Sequence, residues 1–230
     1  MWRILLFTIL VGCSYHGTGE YFGANYLGVP YVLDPLGEEV SPDTDPLIRY
    51  DAFDCTTFVE TVLANNDVNK LNKIRYVGGV PNILNRNHFI ETDWLENNSN
   101  LVVNVSANYA PTKIRTVTVD KKKWFKTVYD LDTDFTTRTI DLEYIPYTYA
   151  HNIKISKPMI VLFIIDNPKI RRKLGTDLAV RHMGFLLPDG RLRHASRSKK
   201  QVLDTNFDKY VNRLVENKNN LGIMLLEIKK

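Results

Sequence analysis

Cysteine is almost missing from this chain: 230 residues hold only two, Cys13 and Cys55. No CxxC or HxxxH pair accompanies them, which removes the usual spacing of a zinc site. Charge of one sign is missing as well. Thirty Lys and Arg face 26 Asp and Glu, leaving +4, too weak and too evenly spread to point to nucleic acid. Short runs such as Lys121-Lys122-Lys123 and Arg171-Arg172-Lys173 read as solvated faces. No apolar run approaches the ~20 residues of a spanning helix, and there are no repeats or low-complexity linkers. With 44% hydrophobic and 24% charged residues, the disordered, collagen-like and multi-span membrane classes are excluded. A chain this long hides about 70–75% of the surface its unfolded form exposes, so one sizeable core forms without disulfide staples.

The chain opens MWRILLFTILVGC. Arg3 supplies a positive charge, and Ile4 to Val11 is a short run that is apolar except for Thr8, as in the apolar stretch of a secretory signal. Leu10-Val11-Gly12-Cys13 resembles a bacterial lipobox, in which a small residue precedes the cleavage point and the cysteine thiol takes the lipid. Residues 1–12 are then a lipoprotein-type signal peptide, Cys13 is the attachment point, and the protein is an exported lipoprotein of the periplasm or cell envelope. The other reading is a buried N-terminal strand or helix that ends in Cys. Acylation of Cys13 leaves Cys55 as a lone thiol in an exported protein, which calls for an explanation. It is a buried apolar residue, a partner of an unlipidated Cys13, or a nucleophile.

Gly and Pro mark residues 20–50 as loops and turns. Phe58, Val59, Val62 and Leu63 then recur at helical spacing from Cys55, and Asp54 is a good cap, so a helix starts at Asp54 or Cys55. Residues 76–100 are irregular and Asn-rich. Thr116 to Val119 alternates like a strand, and Met159 to Ile165 is a continuous apolar run suited to a buried central strand. His182 to Ser196 reads as a hairpin around Pro188-Asp189-Gly190. Phe207, Tyr210, Val211, Leu214 and Val215 form a second helical stripe, capped by Thr205 or Asn206, and a last strand runs from Ile223 to Ile228. The order is not a βαβ alternation. It predicts an α+β fold, a nucleophile helix packed on a mostly antiparallel sheet.

A cysteine at a helix start meets unpaired N–H groups and the positive end of the dipole, which favour thiolate and hold an oxyanion. The hairpin offers a base. A three-residue loop with Gly190 in the left-handed conformation pairs Leu187 with Arg191 and puts Gly184 opposite His194. His182, Gly184 and His194 then share one face. A two-residue loop would slip the register and turn His194 away. In that triad Cys55 attacks, His182 takes its proton and His194 orients His182. Zinc on two His and one Cys is disfavoured, because 127 residues separate Cys55 from His182. No metal and no cofactor is called for.

DCTTFVE (Asp54 to Glu60), HMGF (His182 to Phe185) and HAS (His194 to Ser196) resemble the three blocks of the NlpC-type, papain-like cell-wall cysteine peptidases. YLGVPYVLDPLGE (Tyr26 to Glu38), the segment NRNHFIETDWLENN and the closing NLGIMLLEIK resemble its N-acetylmuramoyl-L-alanine amidase-like branch. The resemblance covers most of residues 25–228. It implies one papain-like domain over residues 20–230, with an inserted segment at about 76–150. It further implies hydrolysis of the amide between the muramyl lactyl group and L-Ala in peptidoglycan fragments (muropeptides). Cys55 would be nucleophile, His182 base and His194 the third member. Tyr31 would help hold the oxyanion, and Asp54 and Thr56 would contact substrate. Arg86, His88 and Trp94 either line the pocket or pack an inserted segment. Lys157-Pro158 replaces the Gly-Asp frequent in relatives, and residues 120–150 are aromatic without a counterpart. A γ-D-glutamyl–diamino acid endopeptidase is the alternative within the superfamily. A non-catalytic peptidoglycan-binding lipoprotein is the alternative outside enzymes. Contact with a membrane is expected only through the lipid anchor.

Overall fold

Asp54 starts the first long helix. Its carboxylate accepts the Thr57 amide at 2.8 Å, and the Thr57 hydroxyl accepts the Asp54 amide at 3.0 Å. This reciprocal capping box satisfies two amides that a bare helix end would leave open. Helix α1 (Cys55–Ala64) follows and ends at Asn65 in the left-handed conformation. The structure, a computed structural model, describes residues 22–229. Asp67 caps α2 (Val68–Arg75) by accepting the Lys70 amide at 3.1 Å. A π-helical turn over Ile90–Trp94 runs into the short α3 (Leu95–Asn97). Asp120 caps α4 (Lys121–Tyr129). Asn167 and a first-turn proline open α5 (Pro168–Leu174), and Asn206, not Thr205, caps α6 (Phe207–Val215).

The strands are β1 (Val102–Asn104), β2 (Lys113–Val119), β3 (Arg138–Pro146), β4 (Met159–Ile165), β5 (Val180–Leu186), β6 (Arg191–Ser196), β7 (Gln201–Asn206) and β8 (Asn220–Ile228). They form an antiparallel sheet in the order β2-β3-β8-β4-β5-β6-β7, and β1 shares one edge of β8 with β3. The fold is therefore α+β. The segment from 76 to 150 gives this sheet β1, β2 and β3.

Two apolar layers hold the sheet between helices. On one face Phe58 and Val59 of α1 pack with Ile160, Leu162, Phe185 and Ala195. On the other, Phe207 and Val211 of α6 pack with Val161, Phe163, Leu192 and Leu225. Both faces of β4 are thus covered, which is why all seven of its residues are buried and its sequence does not alternate. Burying one such side chain contributes about 1.5–3 kcal/mol. Among the described residues no helix is long and apolar enough to cross a membrane.

The hairpin joining β5 to β6 has its loop at 188–190. The Leu187 amide donates to the Arg191 carbonyl at 2.8 Å, and Gly190 sits at φ 81°. The ladder pairs Phe185 with Arg193 and Leu186 with Leu192. A Cβ at Gly184 would come within 2.8 Å of both the His194 Cβ and the Arg193 carbonyl oxygen. Glycine is what allows the two strands to approach here.

Candidate active site

The cavity at the start of α1 has a volume of about 260 Å³. Asp54, Cys55 and Thr56 line it from the helix start, and Val180 to Met183 line it from β5. The sequence separates these two groups widely; the packing of α1 on the sheet brings them to one wall. Cys55 is a free, half-buried thiol. Its sulfur lies 4.0 Å from the Thr56 hydroxyl. Among the described residues no hydrogen bond joins Sγ to the His182 ring, so the two share the cavity without a closed contact.

The imidazoles do make a short contact. His182 Nε2 lies 2.7 Å from His194 Nδ1, and His194 Nε2 lies 3.4 Å from the Thr205 hydroxyl. The Tyr210 ring of α6 packs 5.2 Å from His194 and 6.1 Å from His182, and Phe163 packs 5.5 Å from His182. Burial drives the His182 pKa well below the ordinary histidine value, and the neighbouring His194 and Arg181 reinforce it. Burial also lowers His194 to about 4, helped by Arg213 and opposed by Asp204. Both rings are neutral at neutral pH. A neutral pair can share only one proton across 2.7 Å. If His182 Nε2–H donates to His194 Nδ1, then His194 Nε2–H points to Thr205, and Nδ1 of His182 keeps a lone pair for a proton.

The thiol departs from the sequence-based expectation. The helix start favours thiolate, yet burial dominates and pushes Cys55 up to about 12 from its ordinary 9.0, with the Asp54 charge adding to the rise. The resting site therefore holds a neutral thiol beside a neutral imidazole. Asp54 spends one carboxylate oxygen on its cap, and its charge works against ionisation of Cys55. Tyr31 bridges to Phe53 just before the helix. Its phenol rises to about 12 through burial first, and then through Cys55 and Asp54 nearby.

Of the three residues with two sequence-based readings, Arg86 and His88 line the cavity. Trp94 is fully buried and donates from Nε1 to Glu60 Oε1 at 3.1 Å, so it packs instead. Arg86 makes a bidentate pair with Glu38 at 2.7 and 2.6 Å and a third bond to Asp43 at 2.6 Å. His88 holds the Ile83 carbonyl at 2.7 Å through Nε2 and is kept neutral by burial, its pKa lowered to about 3. Among the cavity residues that the sequence does not single out are Arg75, Asp34, Glu60, Trp124 and Tyr129. The aromatic density of residues 120–150 was the visible signal for the last two. Cys13 lies outside the described residues. Among the described residues no cluster of three or more His, Cys, Asp or Glu side chains is placed to hold a metal ion.

A cysteine at a helix start and an imidazole on the wall of one small cavity, the imidazole held from behind by a second histidine, form a constellation suited to acyl transfer. A family model described as AmiA-like, N-acetylmuramoyl-L-alanine amidase-like, matches residues 21–218. The chain belongs to that family. Among solved structures, a Legionella pneumophila protein is similar with a TM-score of 0.82 and 22% identity, over 92% of this chain and 88% of its own. A Bacteroides uniformis N-acetylmuramoyl-L-alanine amidase gives 0.72 and 23%, over 92% and 97%. A Bacteroides fragilis protein named provisionally as a xylanase gives 0.71 and 23%, over 90% and 99%. Identities this low show the shared fold alone. No curated protein matches the chain.

Proposed function

We propose that this amidase-like protein is a cysteine-dependent hydrolase of the NlpC, papain-like type that cuts the amide between N-acetylmuramic acid and L-Ala in muropeptides. The observation that carries the reading is the shared wall of Cys55 and His182, with His182 held by a 2.7 Å bond to His194. Because thiol and imidazole both rest neutral, the proton moves as the bond forms. Sγ attacks the amide carbonyl while His182 Nδ1 takes its proton. The Cys55 amide, at the open end of α1, and the Tyr31 hydroxyl hold the oxyanion. His182 then protonates the leaving L-Ala nitrogen, and a water, deprotonated by the same ring, releases the acyl group as a carboxylate. His194 and Thr205 keep the ring in the tautomer that accepts at Nδ1. Asp54 and Thr56 flank the bound amide. No step needs a cofactor.

The reading extends to location. Arg3, the apolar run and Gly12-Cys13 support export with a lipid on Cys13, which leaves the domain beside the wall it degrades. Incubation with muramyl-tetrapeptide, followed by mass spectrometry, tests the activity. The expected product is the free tetrapeptide with L-Ala at its amino end, lost by about 10³-fold or more in Cys55→Ala. A shorter peptide that begins at the diamino acid would assign the γ-D-glutamyl bond instead. No cleavage by the folded wild-type protein would leave a binder.

A further inference from the structure

No step of the reaction uses helix α6, yet α6 reaches the base. Phe163 on β4 pairs with His182 on β5, and their rings lie 5.5 Å apart. Tyr210 of α6 completes the cluster. Its ring lies 6.1 Å from His182, 5.2 Å from His194 and 5.1 Å from Phe163. Phe207 and Val211 anchor the helix in the core, whereas Tyr210 at the margin of the same stripe is half-buried. One part of its ring meets solvent, and another covers His194, which is only 2% exposed. Among the described residues the Tyr210 hydroxyl makes no hydrogen bond, so the ring is the part that acts on the pair.

Charge decides what this cover does. The charged and titratable groups that face the two imidazoles are Arg181 on β5, Arg213 on α6, Asp204 on β7 and Cys55 at the start of α1. Phe163 and Thr205 add no charge. Arg193 holds the Asp204 carboxylate at 2.8 and 2.9 Å, and Arg191 holds it at 2.6 Å. Among the described residues neither imidazole has a carboxylate bonded to it. The Arg213 guanidinium carbon lies 5.7 Å from the Tyr210 ring centroid. Two guanidiniums and an apolar cover thus oppose a second proton on the pair. That proton would occupy Nδ1 of His182, the atom that accepts from Cys55, and the base would be lost. Water at the pair would admit it, because hydration stabilises the imidazolium.

We infer that Tyr210 is a positioning residue for the catalytic base: its ring, with Arg213 beside it, closes the imidazole pair to water, so that Nδ1 of His182 stays open to the thiol proton. This rests on the hydrolase reading above and adds a regulation of the same site, because the cover sets how acid the medium can become before the base stops working.

The test is the pH profile of kcat for muramyl-tetrapeptide in the wild type, Tyr210→Ala, Tyr210→Phe and Arg213→Gln. Tyr210→Ala should move the acid limb up by about 1 pH unit or more, towards the ordinary histidine value of 6.5. Near pH ~5.5 its kcat should then fall about 10-fold with KM within about 2-fold, and the loss should shrink towards pH ~8. Tyr210→Phe, which keeps the ring, should stay within about 2-fold of the wild type throughout. Arg213→Gln, at an exposed position, should move the limb up by about 0.5 pH unit, and it decides the matter where Tyr210→Ala fails to fold. An acid limb unmoved in the folded variants, or a loss by the same factor at every pH, overturns the inference. An equal loss in Tyr210→Phe would assign the hydroxyl and overturn it too. Imidazole nitrogen NMR of histidine-labelled protein follows the pair without substrate. A titration that moves up in Tyr210→Ala or Arg213→Gln, in a protein that hydrolyses nothing, supports the cover and fails the hydrolase reading alone. A titration unmoved beside intact hydrolysis removes the cover alone.

Discussion

At the scale of single residues, burial sets the protonation state of Cys55. The ordinary expectation for a helix-start cysteine is a lowered pKa and a standing thiolate. Here the surrounding protein pushes the thiol up to about 12, and the Asp54 carboxylate pushes in the same direction. Iodoacetamide should therefore modify resting Cys55 slowly near neutral pH, with the rate still rising well above the ordinary value of 9.0. Asp54→Asn keeps an oxygen for the Thr57 amide but removes the charge, so alkylation at a fixed pH should quicken by about 3–10-fold with little loss of stability. Rate measurements across alkaline pH check both statements. Complete labelling of the wild type under mildly acidic conditions would show a standing thiolate and contradict them.

Among the secondary-structure elements, the β5–β6 hairpin carries the most consequence. Its register puts both imidazoles on one face, and Gly184 supplies the space. A methyl group there would sit within 2.8 Å of backbone and of the His194 Cβ, so the strands must part. Gly184→Ala should cost about 1–3 kcal/mol in denaturant unfolding and lower kcat more than it raises KM, because the His182–His194 bond is what lengthens. A variant with full kcat would disconnect that bond from catalysis. Much of this element is legible before any coordinates. Pro188-Asp189-Gly190 specifies the loop, and the loop specifies the face. Asp54 with Thr57 marks the start of α1 for the same reason: local chemistry satisfies local amides. The apolar run of β4 shows its burial directly. Other parts are not legible because their cause is remote. The π-helical turn at Ile90–Trp94 matches no helical or strand period, and helices α2, α4 and α5 have short or mixed stripes. Asp34 reaches the cavity from a Gly- and Pro-rich loop that has no periodicity, held in place through Arg86 by Glu38 and Asp43. Thr205 and Asn206 both read as caps of α6; Asn206 takes that place, and Thr205 faces His194.

For the whole molecule, two sets of groups with shifted pKa values pull stability in opposite directions with pH. His88, His182 and His194 have folded pKa values below the ordinary 6.5, so the unfolded chain binds their protons first, and stability falls as pH drops below about 6.5. Glu60 and Glu91, raised to about 7, and Asp34, raised to about 6, do the reverse: the folded chain holds their protons, and stability falls as pH rises from about 4 towards 7. Three imidazoles thus offset three carboxyls between roughly pH 4.5 and 6.5. Below that window the unfolded carboxyls are protonated too, and only the histidine effect remains. Thermal unfolding should show a midpoint that changes little across the window and drops steeply beneath it. A steady decline from neutral pH downward would show that the carboxyls are not held protonated. The same burial that makes this balance also keeps Cys55 and His182 neutral until substrate arrives. The most direct measurement of the central claim is the intact mass of protein quenched during turnover of a muramyl-peptide. The account predicts an adduct with the mass of the N-acetylmuramoyl acyl group, located by proteolysis on the peptide that contains Cys55 and absent from Cys55→Ala. Turnover that proceeds without any such adduct and survives in Cys55→Ala would contradict it.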